Sequence, residues 1–308
     1  MYRAKNIFSI LFLGSFLFIF SGCEKKPITI PDSPVFQKYT YASPLSKKIV
    51  DRVSLVKTVV ADTLVTLAPG VTQTTLNYLD YSDKPMRLFI LEVDLNNPRI
   101  KIKAGTPNNA NTYGRQTVTD IAIRSDAPNN RVIAAVNGDY FNPTTGEPQS
   151  ILYKNGVAIK PVSALCALCT FLSIDKQGNP MIVSKDMTID PTTIQDAVGG
   201  FHWLIRNGQR VTQGDPSIEP RTAVGVTTDK KVYFVVIDGR LATYSNGMNF
   251  GQLSHVFFAL GVKDAINMDG GGSSTLVVKE GAGWAIKNRP SDGVPRTVAN
   301  AWLIVDTQ

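Results

Sequence analysis

The chain of 308 residues is poor in the residues that build most metal and thiol chemistry, with two His (His202 and His255) and three Cys. Two imidazoles exclude a site made of three. Three cysteines exclude a disulfide-rich scaffold. Cys166-Ala-Leu-Cys169 is a CxxC pair, but it lies in the apolar run ALCALCTFL and lacks the two further soft ligands that zinc needs. It is read as two core thiols rather than a redox pair. The chain has no GxSxG, no P-loop, no HExxH and no GxGxxG. No run of Lys or Arg exceeds two, so the concentrated positive face of a nucleic-acid binder is missing, and no nucleic-acid partner is expected.

Long apolar runs are missing too, with one exception at the start. Arg3 and Lys5 precede Ile7–Phe20, which only Ser9, Gly14 and Ser15 interrupt, and Ser21-Gly22-Cys23 follows. The run is shorter than the roughly 20 residues a bilayer span requires. The order charged, apolar, small is that of an export signal. Its ending in Cys resembles a lipoprotein signal, so residues 1–22 are expected to be removed and Cys23 to carry a lipid. That places the protein in a bacterial cell envelope, anchored to a membrane on the periplasmic side or the cell surface. Loss of Arg3 and Lys5 lowers the formal charge from +7 to +5, a mild excess compatible with an anionic ligand.

What remains is an ordinary globular composition, 43 % apolar and 19 % charged. Residues 23–58 are expected to form a tether and N-terminal extension, because Pro27, Pro31, Pro34 and Pro44 each remove a backbone donor. Within it, Lys48–Lys57 reads as either a short strand or an amphipathic helix. One domain then covers residues 59–308. Strand patterns dominate it: Val59–Leu67, Thr72–Asp80, a hairpin of Leu88–Asp94 with Ile100–Ala104, the doubly apolar Arg131–Asn137, and seven later segments. Thr117–Arg124 is a short helix candidate. A clear helix follows Asn249, with Phe250, Leu253, Phe257 and Leu260 on one face, Gln252 completing a capping box and Gly261 as the stop. The pattern predicts an α+β fold built on one large, mainly antiparallel sheet with a few flanking helices.

Three loops after strands gather glycine and polar side chains: Asn137–Pro143, Asp238-Gly239-Arg240, and Asn267–Ser274 with its Asp269-Gly270-Gly271-Gly272-Ser273 core. Glycines let backbone N–H groups approach a ligand, and consecutive N–H groups form an anion nest. A glycine-rich turn capped by its Asp is the alternative. Arg221, Arg240 and Arg296 stand at strand ends, where a guanidinium suits bidentate binding of phosphate. His202, after Gly199-Gly200-Phe201, is a candidate for proton transfer, with a turn role as the alternative. A cluster of Asp and Asn oxygens suits Ca²⁺ or Mg²⁺. No cofactor is required by the sequence, and Asp269 or Asp139 would be the metal ligand.

In combination these segments resemble a known family. NGDYFNPTTGEP (137–148), GGFHWLIRNG (199–208), RTAVGV (221–226), IDGR (237–240), ALGVKDAINMDGGGSSTLVV (259–278) and RTVANAW (296–302) follow the order and approximate spacing of the phosphodiester glycosidase family. That family includes the lysosomal enzyme that removes N-acetylglucosamine from a mannose 6-phosphate diester. The resemblance implies hydrolysis of a sugar 1-phosphodiester, with a phosphorylated or phosphodiester-linked carbohydrate as partner. Carried onto matching positions, it implies Asp269 and Asp139 as catalytic candidates, to which the reading of the residues adds His202. For substrate and phosphate it implies Asn137, Arg221, Asp238, Arg240, Gly270, Gly271, Gly272, Ser273, Arg296 and Asn300. Two departures bear on specificity. His202-Trp203 replaces a Pro and a small or aliphatic residue, and the animal enzyme carries Gly where Asp139 stands. A non-catalytic glycan-binding lipoprotein and a transferase or hydrolase of a phosphodiester-linked surface polysaccharide are the other readings.

Overall fold

The computed structural model describes residues 39–308, which form one compact unit. The export signal, Cys23 and the first part of the expected tether lie outside the described residues. The tether ends sooner than expected. Helix α1 (Pro44–Arg52) starts at a Ser43 cap whose hydroxyl accepts from the Leu45 N–H at 3.2 Å, with Pro44 in the first turn. Leu45 and Ile49 are buried, and Ser46 donates to Asp62 at 2.5 Å. Residues 43–56 therefore belong to the domain, and the open reading of Lys48–Lys57 resolves as the end of a helix and a short link.

The α+β class and antiparallel pairing are as expected, but the strands form three sheets in place of one. The first runs β1 (Thr58–Ala68), β2 (Val71–Leu79), β3 (Pro85–Asp94), β14 (Lys231–Ile237), β13 (Arg221–Val226), β15 (Asp264–Met268), β11 (Trp203–Arg206), β12 (Gln209–Arg210). The second runs β7 (Val157–Lys160), β6 (Leu152–Lys154), β10 (Ile194–Gly200), β8 (Thr170–Asp175), β9 (Pro180–Ser184). The third runs β17 (Gly283–Ile286), β16 (Leu276–Glu280), β5 (Arg131–Asn137), β18 (Ala301–Asp306), β4 (Ile100–Gly105). The expected hairpin of β3 with β4 does not form. β3 pairs with β2 and β14, β4 pairs with β18, and the Asn96–Pro98 turn carries the chain from one sheet to another.

The alternation of side chains across each strand explains the arrangement. Phe89, Leu91 and Val93 of β3 face the same core as Ala134 and Val136 of β5, Trp302 and Ile304 of β18, and Leu172 and Ile174 of β8. All three sheets thus share one inner core. Their outer faces are covered separately. Leu88 and Ile90 of β3 pack with α1 and with α3 (Phe250–Leu260). Val132 and Ala135 of β5 pack under α2 (Val118–Ser125). Phe171 and Ala197 of the second sheet pack under the loop that carries Leu165 and Cys169. Strands buried on both faces must be apolar throughout, which is why RVIAAV shows no alternation. In that loop Cys166 and Cys169 form a disulfide. The core placement of the pair holds, with Cys169 buried and Cys166 packed beside it, but the two are bonded across a three-residue separation and are not free thiols.

Candidate active site

The sheets converge at one end of the molecule. There β5 finishes at Asn137, β13 starts at Arg221, β15 finishes at Met268 and β18 starts at Ala301, paired with Asn137. Asn137 is fully buried and locks this junction. Its Nδ2 donates to the Asp269 carbonyl at 2.7 Å, and its Oδ1 accepts from the Thr222 hydroxyl at 2.9 Å and the Thr275 N–H at 3.0 Å. Expected as a substrate ligand, Asn137 instead has its amide committed to holding the DGGGS turn against the first and third sheets. Asn300 acts similarly on the neighbouring loop. Its Oδ1 accepts from the Asp139 N–H at 2.9 Å and its carbonyl from the Gly138 N–H at 3.1 Å, while its buried Nδ2 has no partner among the described residues.

Two carboxyl groups stand on this framework in different surroundings. Asp139 is buried, and burial pushes its carboxyl well above the usual range, against the Ser150 N–H that donates to Oδ2 at 2.7 Å. Its Oδ1 has no partner among the described residues. Gly199 of the second sheet admits it: a Cβ there would collide with the Asp139 carboxylate and with Ser150. Asp269 lies at the mouth, half-buried. Desolvation raises its pKa to about 6, opposed by the Ser273 hydroxyl, the Arg296 cation and the Gly270 amide. The negative charge of Asp269 in turn raises Asp139 further. Burial raises both carboxyls, Asp139 further through the Asp269 charge, and neighbouring carboxyls in unequal surroundings suit acid and base roles.

Around Asp269 the DGGGS turn is held by glycine. Gly271 has φ +58°, a left-handed conformation, and packs against the Arg240 guanidinium. Gly272 lies against Arg296 and Asp292, leaving no room for a side chain. Arg296 pairs with Asp292 at 2.7 Å, and Arg240 donates to Glu219 at 2.5 Å, so both cations are aimed by a carboxylate toward the turn. Arg221 is buried behind them. Its Nε donates to the Met248 carbonyl at 2.9 Å, one terminal nitrogen donates to the Ser217 carbonyl at 2.6 Å, and its plane sits 4.0 Å from the Phe250 ring centroid.

Asp238 is not part of this face. It is buried and accepts from the Arg289 N–H at 2.9 Å and the Asn288 amide at 3.0 Å, so it brackets the 288–289 segment. Its pKa rises to about 6 through burial. His202 is half-buried and packs edge-on against Phe201 at 4.3 Å and Phe250 at 5.6 Å, and burial lowers its pKa. Asn267, missed in the sequence as a site residue, ties it in. Its Oδ1 accepts from the His202 N–H at 2.7 Å and its Nδ2 donates to the Tyr140 hydroxyl at 2.7 Å. Tyr140 senses both Asp269 and Arg221 and is raised by burial. The only sequence signal for Asn267 was its place in the INMDGGGSS run. Among the described residues no three His, Cys, Asp or Glu side chains gather in a group able to hold a metal ion.

The sequence comparison supplies the family. Residues 130–305, more than half of the chain and including the whole of this junction, match the model of the phosphodiester glycosidase domain. The chain belongs to the phosphodiester glycosidase family. Among curated proteins, N-acetylglucosamine-1-phosphodiester alpha-N-acetylglucosaminidase of Mus musculus is 27 % identical over 183 residues, covering 53 % of this chain and 34 % of that protein. The SPbeta prophage-derived uncharacterized protein YomE of Bacillus subtilis is 29 % identical over 206 residues, covering 63 % of this chain and 30 % of that protein. The chain thus spans about a third of the length of these relatives. Among solved structures, the catalytic domain of the zebrafish N-acetylglucosamine-1-phosphodiester alpha-N-acetylglucosaminidase superposes with a TM-score of 0.59 at 23 % identity, covering 79 % of this chain and 87 % of that one. The family's fold is the one described here.

Proposed function

We propose that this phosphodiester glycosidase hydrolyses a sugar 1-phosphodiester to free sugar and a phosphomonoester. The observation that carries the reading is Asp269, which sits half-buried beside the glycine turn and the Arg240 and Arg296 guanidiniums. Ionised above about pH 6, Asp269 acts at the anomeric carbon, on the carbon itself or on its attacking water. Arg240 and Arg296, beside the glycine turn, hold the phosphate, whose departure as a stabilised anion needs little protonation; the Gly271 N–H is committed to the Pro220 carbonyl. Asp139, raised by burial and by the Asp269 charge, is the proton-holding group beside it, and His202, lowered by burial, is tied to the same loop through Asn267. Arg221 fixes the Phe250 ring and the charge behind Tyr140. The partial exposure of Tyr140, Asp269 and Gly271 suits a large aglycone, including a phosphodiester-linked surface polysaccharide.

Sugar release from a GlcNAc-1-phosphodiester tests this. Asp269→Asn is expected to lower kcat by about 10²–10⁴-fold, and Arg221→Ala to lower it with the fold retained. Wild-type rates in both folded variants overturn the assignment of Asp269 and Arg221, and a wild-type chain that binds the glycan without releasing sugar favours a glycan-binding role. Loss of activity in EDTA, restored by Ca²⁺ or Mg²⁺, would assign Asp139 and Asp269 to a metal instead. The export and lipid-anchoring reading rests on residues 1–23, and metabolic labelling with palmitate, lost in Cys23→Ser, checks it.

A further inference from the structure

A cavity of about 330 Å³ opens at the end of the molecule opposite the site. Strand β18 connects the two. It leaves the site at Ala301, beside Asn300, and reaches the cavity at Thr307, a run of about 20 Å at the rise of a strand. The cavity belongs to no part of the DGGGS constellation. It is set between the start of β4, the β8–β9 turn, the first residues of β10 and the β13–β14 turn.

Its chemistry is uneven. Leu95 is partly exposed, Ile100, Ile102 and Ile174 are buried in the inner core behind it, and Gln177 and Gln195 supply amides. Four lysines line it. Lys103 donates to the Asn130 side chain at 2.6 Å. The ammonium groups of the other three, Lys101, Lys176 and Lys230, form no ion pair or hydrogen bond among the described residues. Two carboxylates also line the cavity, and both are engaged within the fold. Asp175 accepts from the Gln177 and Asn179 N–H groups at 2.9 and 2.8 Å and from the Asn179 amide at 2.8 Å. Asp196 is buried and accepts from the Ala104 and Asn155 N–H groups at 3.1 and 3.2 Å. Three lysines thus border a concave site whose carboxylates are engaged within the fold. The volume is at the lower end of the range for small-molecule sites.

We propose that this cavity is a second saccharide site, which takes a sugar unit bearing a phosphate or carboxylate. The lysines attract the anion, the partly exposed Leu95 meets the C–H face of the ring, and the glutamine amides reach its hydroxyls. Nothing in this rests on the hydrolytic reading, because none of its residues touches Asp269 or the glycine turn. A chain without hydrolase activity would still bind here.

Calorimetric titration of the full chain with glucose 6-phosphate, glucuronate, glucose and inorganic phosphate tests the proposal, with the Lys101→Ala/Lys176→Ala/Lys230→Ala variant in parallel. Both charged sugars are expected to bind more tightly than glucose and than phosphate, with affinity falling as NaCl is raised. The triple variant is expected to lose about tenfold in that affinity, while it melts and releases sugar from a GlcNAc-1-phosphodiester like the wild type. Equal affinity of the triple variant and wild type overturns the site. Binding of phosphate as tight as that of glucose 6-phosphate overturns the saccharide specificity. Loss of hydrolysis in the folded triple variant overturns the independence of the two sites.

Discussion

At the scale of single residues, the protein separates two chemically identical carboxyl groups by surroundings alone. Asp139 and Asp269 both have pKa values raised by burial. The sign for stability follows. A carboxyl whose folded pKa exceeds its unfolded value of about 3.9 binds its proton more tightly in the folded state. It contributes stability fully below that unfolded value and loses it as pH rises through the folded pKa. Asp139→Asn keeps an acceptor for the Ser150 N–H and removes the cost of ionising a buried carboxyl. It is therefore expected to raise Tm at pH 8 by a few degrees and to leave it nearly unchanged at pH 4. A Tm difference that does not grow with pH would show that Asp139 is charged in the native state. Activity has its own pH signature: kcat/KM is expected to fall below about pH 6 as Asp269 takes up its proton, and that acid limb should disappear in the residual activity of Asp269→Asn.

At the scale of elements, legibility in the sequence followed locality. Helix α3 was readable because everything that makes it is local: the Asn249–Gln252 capping box, a single apolar face and Gly261 at φ +78°. The glycine loops were readable for the same reason. Helix α1 was not, since its reasons lie elsewhere in the chain, in Asp62 and Thr74 of the first two strands and in the outer core. Prolines before it read as tether, although Pro44 is a helix start. The same limit applies within the site. Asp238 and Asp269 look alike in sequence, each following an apolar strand, and only the position of the 288–289 segment makes one a bracket and the other a candidate catalytic group. The disulfide was hidden by the apolar letters around it. Helix α1 gives a direct check. Ile49→Ala empties a buried position and is expected to cost about 2–4 kcal/mol of folding stability, measured by urea unfolding. A cost near zero would return residues 43–56 to the tether.

At the scale of the whole molecule, three sheets share one core and meet at one end. The site draws Asp139 from beyond a strand of the third sheet, Asp269 from beyond a strand of the first and the admitting Gly199 from the second. Partial openings of a fold cost less than its global unfolding, and a slip of any sheet against the others displaces one of these groups. Activity is therefore expected to fall at lower urea than the far-ultraviolet circular dichroism signal. Coincident midpoints would show that the three sheets melt as one unit. The Asn137 junction has a further consequence. Its partners Thr222, Asp269 and Thr275 come from the C-terminal half of the sequence, so neither half of the chain carries the chemistry alone. A chain cut in the exposed segment around residue 214 would give two silent pieces, and sugar release would return only when both are present and joined through that one asparagine.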